Sequence, residues 1–206
     1  MTVAVLAVDQ GTSATKALVV TAEGEVVASA EVPVSPRYGE GGVVEQDPEQ
    51  LWASVLEAGA AAMTRAGVPV GAVGLANQGE SVLAWDSGSG EPLTAVVGWQ
   101  DRRAQVVCDR LVAAAEELAA LTGLPLDPYF AAPKMTWLRE AMTREGVVTT
   151  TDSWLLHRLT GAFVTDASTA SRTALLDLDT VAWSPRAAEL FGLADELRPE
   201  VVDGAG

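Results

Sequence analysis

Cysteine, histidine and lysine are nearly absent. The 206 residues hold one Cys, one His and two Lys, against eleven Arg. A lone Cys excludes an internal disulfide and any Cys-rich zinc or iron–sulfur site. A lone His, His157, offers no His cluster to a metal. Positive charge is scarce too: 13 Lys and Arg face 28 Asp and Glu, a formal net charge of −15. That balance argues against partners bound through their own negative charge, so neither nucleic acid nor membrane is an expected partner. The N-terminus, MTVAVLAVDQ, has no basic region before its short apolar run. It reads as neither a signal peptide nor a membrane span, and a cytoplasmic location is the expectation.

What is present is ample for a core. The hydrophobic fraction is 49%, too high for global disorder. The length fits one or two domains at roughly 100–200 residues each. No internal repeat, low-complexity linker or composition break marks a boundary.

The first third reads as β-rich. Val3 to Val8 is a short apolar run of the kind that forms a buried strand, and it stops at Asp9-Gln10-Gly11-Thr12-Ser13. A second run, Lys16 to Thr21, precedes a turn at Ala22 to Glu25, and Val26 to Val34 forms a third strand. Residues 35–46 read as a surface loop. Asp47-Pro48-Glu49 supplies an N-cap, a first-turn Pro and an early acid, opening a helix that Gly67 stops. Val70 to Ala76 and Ser81 to Trp85 read as strands around Asn77-Gln78-Gly79-Glu80. Leu93 to Trp99 is another apolar run. A long helix from about Arg102 to Leu121 follows, closed by Gly123. Further helices are expected over Pro133 to Thr143, Asp152 to Leu159 and Ser184 to Leu190, with a short strand at Leu175 to Leu178.

Two segments carry chemistry. The first is Asp9 to Lys16, directly after a strand. A carboxylate there can hold a hydrated Mg²⁺ or orient an attacking hydroxyl. Gly11 lets a phosphate approach the backbone, the hydroxyls of Thr12, Ser13 and Thr15 can donate to phosphate oxygens, and Lys16 adds a cation. The segment lacks the glycine spacing of a Walker A loop. It is either an ordinary polar hairpin turn or a phosphate cradle. Its strand–turn–strand setting resembles the first phosphate loop of the actin, Hsp70 and sugar-kinase ATPases.

The second is a pair of strand ends, Asn77 to Glu80 and Trp99-Gln100-Asp101-Arg102-Arg103. Amides, carboxylates and a guanidinium can exchange hydrogen bonds with hydroxyls, and an aromatic face packs on C–H groups, as a polyhydroxylated ligand requires. The alternative is that Trp99 is core and Asp101 caps the next helix.

Seven segments in order, DQGTSATK, EQDPEQLW, GLANQGES, VVGWQDRR, GLPLDPYFAAPKMTWL, DSWLLHRLTG and TDASTASRTALLDL, together resemble the N-terminal domain of the FGGY carbohydrate kinases, glycerol kinases above all. The resemblance runs from about Val3 to Glu200. It implies an α/β, ribonuclease-H-like (actin/Hsp70/sugar-kinase) fold, with a mixed sheet flanked by helices. It implies ATP and Mg²⁺ as cofactors and a small polyol or sugar as substrate. By matched position, Asp9 is the metal-associated residue and Gln10, Gly11, Thr12 and Ser13 form the phosphate loop. Lys16 stands where Arg is usual, without the bidentate fork. Glu80, Trp99 and Tyr129 match residues that line the substrate site, Gly79 stands where the family has an Arg of that site, and Asp101, from the strand-end reading, is expected to bind substrate with them.

Two departures from the family matter. Glycerol kinases carry Arg where this chain has Gly79. Losing a donor against a polar substrate costs roughly 1–3 kcal/mol, up to about a hundredfold in affinity. The expected substrate is therefore a polyol or sugar larger than glycerol. The family's catalytic Asp, in a G-D-Q segment, has no match here, and its expected place is beyond Gly206. The expectation is an N-terminal domain over 1–206, incomplete at its end and without the second kinase domain, with no catalytic base in this chain and no turnover alone. The full-length protein is expected to be a homo-oligomer. The competing reading is a non-catalytic nucleotide- or polyol-binding module. Cys108 is expected to be core, Asp166 and Arg172 structural, and the role of Lys134 is open.

Overall fold

The computed structural model describes residues 3–204. Gly206, the residue beyond which the sequence reading puts the catalytic Asp, lies outside the described residues. In chain order the elements are β1 (Ala4–Gln10), β2 (Ala14–Val20), β3 (Val26–Pro33), β4 (Arg37–Tyr38), β5 (Val44–Gln46), α1 (Pro48–Ala66), β6 (Val70–Asn77), β7 (Val82–Trp85) and β8 (Val96–Val97). Then come α2 (Gln105–Arg110), α3 (Ala115–Thr122), α4 (Ala131–Ala141), β9 (Val147–Thr150), α5 (Thr151–Thr160), β10 (Val164–Asp166) and α6 (Ala167–Ser171). The last are β11 (Leu176–Asp177), β12 (Ala182–Trp183), α7 (Pro185–Leu190) and β13 (Glu200–Val202). They divide into a first unit, residues 1–36 and 46–78, and a second, residues 37–45 and 79–206.

The first unit is a four-stranded sheet in the order β3-β2-β1-β6, antiparallel across β1, β2 and β3 and parallel between β1 and β6. Helix α1 covers one face. Its Leu51, Val55, Ala58 and Ala62 are buried, as are Leu6, Val8, Ala17 and Val19 of the sheet. The helix ends follow the local signals. Asp47 accepts from the Glu49 N–H at 2.9 Å, and Gly67 takes the left-handed conformation, φ 61°, donating to the Met63 carbonyl. One expectation changes. The apolar run at the N-terminus forms a strand whose residues alternate in burial, with Val5 exposed. Apolar composition alone does not distinguish one covered face from two.

The second unit has a five-stranded sheet in the order β4-β5-β8-β7-β9, and two-stranded pairs β10–β13 and β11–β12. Its core gathers Val82, Val97, Val107, Leu118, Met135, Leu138, Val148 and Phe191. Residues 35–46 correct the sequence reading: they include β4 and β5, and Val44, Glu45 and Gln46 are all buried. The segment is short and nearly free of alternation, so its pairing with distant chain leaves no local trace. The expected helix from Arg102 to Leu121 is broken. Helix α2 stops at Leu111, a tight turn follows over Val112–Ala114, and α3 starts at Ala115. The bonds Leu111 N–H to Cys108 C=O (2.9 Å) and Ala114 N–H to Leu111 C=O (2.8 Å) span three residues instead of four. No Gly or Pro marks the break, and Val107, Leu111, Leu118 and Thr122 keep helical spacing through it. Helix α2 packs on α4, and α3 on α7 and β11.

Candidate functional site

In the first unit the β1–β2 hairpin turn is built from residues 11–13. The Gly11 N–H donates to the Ala14 carbonyl at 2.9 Å, and a Cβ at Gly11 would lie 3.0 Å from that oxygen. A side chain there would force the turn open, so glycine is required for its tightness. Thr12 is half-buried and Ser13 exposed.

Three glutamines underlie this loop. The Gln10 side chain is fully buried, and its amide donates to the Gly11 carbonyl at 2.7 Å. The Gln78 amide donates to Gln46 Oε1 at 2.8 Å and to Gln10 Oε1 at 3.3 Å. The Gln46 amide donates to the Thr12 carbonyl at 3.0 Å, and the Thr12 hydroxyl donates to Gln78 Oε1 at 3.3 Å. The loop therefore rests on neutral amides, each both donor and acceptor. Gln10, expected at the phosphate, lies beneath the loop instead. Gln46 and Gln78 carried no individual role in the sequence reading; each came only as a letter in a longer motif.

Thr15 is corrected as well. It is fully buried, 2.6 Å from the Ser54 hydroxyl. Ser54 donates to the Leu51 carbonyl at 2.7 Å, which leaves Thr15 as the donor to Ser54. It ties the hairpin to α1 and has no proton for a phosphate. Asp9 and Lys16 sit opposite one another in the β1–β2 register, and Lys16 opposite Glu31 in β2–β3. All three lie on the sheet face away from α1. Lys16 Nζ is 3.5 Å from Glu31, with both side chains more than half exposed. Asp9 is exposed. Among the described residues no three His, Cys, Asp or Glu side chains converge as a metal cage. A lone exposed carboxylate fits an ion such as Mg²⁺, which keeps most of its water and binds through one or two carboxylates plus phosphate oxygens.

The second unit gathers Glu80, Trp99 and Tyr129. The Trp99 and Tyr129 rings meet edge to face at 5.4 Å, and Tyr129 meets Phe130 likewise at 5.4 Å. The Arg172 guanidinium lies 5.0 Å from the Phe130 ring centre and 5.8 Å from that of Tyr129. Its Nε donates to Glu80 Oε1 at 2.7 Å. Glu80 is buried and adopts φ 63°, the left-handed region. For a residue with a Cβ that conformation costs roughly 1–2 kcal/mol, and such strain gathers at functional positions. The Gly79 Cβ position has no atom within 4 Å, so it opens onto free space. Arg172, read from the sequence as structural, holds the Glu80 carboxylate of this cluster.

Asp101 departs from both sequence readings. It is fully buried. Its Oδ2 accepts from the Val44 N–H at 2.8 Å, and its Oδ1 from the Arg103 N–H at 2.9 Å. The Arg103 side chain binds both oxygens and reaches Glu45 at 2.8 Å. A carboxylate so enclosed braces the strand end, with both oxygens held by protein donors. It does not cap a helix, since α2 begins four residues later without a side-chain cap. Burial works against the Arg103 charge, but its bonds to Asp101 and Glu45 carry its pKa above the ordinary value. Arg103 also stacks 4.2 Å over Trp137. Cys108 is buried as expected, and burial, with Asp127 and Asp109 adding to it, pushes its thiol up to about 11, which leaves it inert as a nucleophile.

Residues 4–206 match the family model described as the N-terminal domain of the FGGY family of carbohydrate kinases. The chain is 43% identical over 211 residues to a glycerol kinase of Thermus brockianus, covering 95% of this chain and 43% of that protein. It is 40% identical over 221 residues to a glycerol kinase of Methylobacterium nodulans, covering 100% of this chain and 44% of that one. The crystal structure of Plasmodium falciparum glycerol kinase with ADP superposes with a TM-score of 0.90 at 25% identity, covering 97% of this chain and 43% of that chain. A ligand-bound xylulose kinase from Lactobacillus acidophilus superposes at 0.88 with 24% identity, covering 97% and 42%. The chain spans less than half the length of the curated relatives it matches. The fold is that of the actin/Hsp70-like sugar-kinase ATPases, a mixed α/β arrangement of sheets flanked by helices.

Proposed function

Since the chain belongs to the FGGY family of carbohydrate kinases, we propose that it supplies the phosphate loop and the polyol pocket of an ATP-dependent kinase acting on a hydroxyl group. The observation that carries this reading is the Glu80–Arg172–Tyr129–Trp99 cluster: an oriented buried carboxylate beside two aromatic rings. Glu80 accepts from substrate hydroxyls, and Arg172 fixes the carboxylate. The Trp99 and Tyr129 faces pack on the C–H side of the carbon chain.

In the first unit the Thr12 backbone, the Ser13 hydroxyl and the tight Gly11 turn receive the nucleotide phosphates, and Lys16 supplies a nearby cation. The glutamine layer keeps the loop in shape without adding negative charge beneath a polyanion. Asp9 would hold Mg²⁺ through its water shell. The ion's part, when bound, is to neutralise charge on the transferring phosphoryl group. None of the described residues is assigned to proton abstraction.

Gly79 sets the substrate class. The open space at its Cβ position suits a polyol or sugar larger than glycerol. ADP release by the full-length protein across glycerol, pentitols, pentoses and hexoses tests the reading. The expected result is polyol- or sugar-dependent release. ADP release that no hydroxyl compound stimulates would overturn it.

A further inference from the structure

Lys134 is one of two lysines in the chain and is completely buried. It is the fourth residue of α4, and its side chain runs back past the helix start. There Nζ donates to the Pro128 carbonyl at 2.8 Å, to the Phe130 carbonyl at 2.7 Å and to the Tyr129 carbonyl. These three acceptors match the three protons of an ammonium group. Nothing about helix stability asks for this arrangement. The positive end of the helix dipole disfavours a cation at an N-terminus, and burying the charge costs more. A Ser, Thr or Asp would cap the helix with less penalty.

What the cage does is hold one turn. Asp127 Oδ1 accepts from the Tyr129 N–H at 2.8 Å on the other side of the same turn, and Arg102 anchors Asp127 at 2.9 Å. The backbone of Pro128, Tyr129 and Phe130 is thereby fixed from both sides, and with it the Tyr129 ring between Trp99 and Arg172.

We propose that Lys134 is a positioning residue of the polyol pocket, acting through the Tyr129 backbone to set the ring that packs on the substrate. This rests on the reading of Tyr129 as a pocket wall. The groups facing the amine are Glu80, Asp101, Cys108 and Asp127. Burial lowers Lys134 from 10.5 to about 7 against the pull of those neighbours. Among them the Cys108 thiol is pushed up to about 11. The chain's one His, His157, lies against Trp85 and outside this group. A neutral amine keeps two protons for three carbonyls, so the turn loosens as pH rises through neutrality.

The test is fluorine NMR of the full-length protein labelled with 3-fluorotyrosine. The Tyr129 resonance is assigned by its loss in Tyr129→Phe, and exposed Tyr38 serves as the control. In Lys134→Met the Tyr129 resonance should move toward the position of an exposed ring while Tyr38 stays. Xylitol should need at least tenfold higher concentration to shift it, and nucleotide KM should hold within twofold. An unmoved Tyr129 resonance, or equal weakening of xylitol and nucleotide, overturns the proposal. A wild-type resonance that ignores glycerol, xylitol and xylulose, while Lys134→Met still moves it, sinks the pocket reading instead. If Lys134→Met does not fold, the wild-type resonance should step between pH 6 and 8 and Lys134→Arg should abolish the step while keeping the xylitol shift. No step in wild type overturns the proposal.

Discussion

The two units hold their functional loops by opposite means. In the first, neutral side chains do the holding: Gln10, Gln46 and Gln78 bond to one another and to the loop carbonyls, and the charged residues Asp9, Lys16 and Glu31 stay at the surface. In the second, charge does it, most of it buried: Asp101 with Arg103 and Glu45, the half-exposed Arg172 on buried Glu80, and Lys134 in its carbonyl cage. On the function proposed above, the difference follows from what each would receive. A loop that accepts a polyanion gains from a floor without negative charge. A pocket for a neutral polyol needs side chains locked in direction, and ion pairs and a buried ammonium lock direction at the cost of desolvation.

The largest expected effect belongs to the buried carboxylate of the second unit. Asp101→Ala leaves Arg103 with half its partners and the Val44 N–H with none. Removing one member of a buried pair costs about 3–5 kcal/mol, and urea denaturation should read a loss of that order. A cost near that of a surface substitution would mean the brace is not buried charge at all.

Gln78→Leu comes next. It strips donors and acceptors from Gln10, Gln46 and Thr12, at about 1–3 kcal/mol for the groups left unmet. Nucleotide KM should rise and polyol KM should not. If both rose together, the glutamine layer would not be specific to the phosphate loop.

The charged unit should also show a pH signature that the amide unit lacks. Lys134 has its folded pKa lowered to about 7 from an ordinary 10.5. Between those values the unfolded chain holds a proton that the folded chain has released, so folding stability rises with pH across that window. Below about 7 both states are protonated and the effect is gone. Denaturation of wild type and Lys134→Met from pH 6 to 9 should show wild type gaining on the variant as pH rises. Parallel curves would contradict the assignment. The smallest effect belongs to the exposed Lys16–Glu31 pair, where Glu31→Gln should change stability by less than about 1 kcal/mol, with salt erasing the difference.

The sequence reveals these two regions unequally, and the reason is locality. The hairpin turn at Gly11, the caps of α1 at Asp47 and Gly67, and the αL stop at Gly123 depend on neighbouring residues, so they stand out in the chain itself. The glutamine layer joins positions up to 68 residues apart, and no single glutamine announces it. Asp101 looks the same in sequence whether it faces a ligand or the interior; only the Val44 and Arg103 partners decide. The break at Leu111 hides because helical spacing continues across it. Lys134 is visible in the sequence as a residue but not as a role, because its acceptors are backbone carbonyls that every residue carries.

The Gly79 Cβ position of the second unit is open, and we propose that it favours a polyol or sugar larger than glycerol. The most direct measurement is kcat/KM of the full-length protein for glycerol and for its best larger substrate, in wild type and in Gly79→Arg. Wild type should favour the larger substrate, and Gly79→Arg should shift the ratio toward glycerol by about 10–100-fold, the worth of one donor to a hydroxyl. A wild type that prefers glycerol, with a ratio that Gly79→Arg leaves unchanged, would contradict the account.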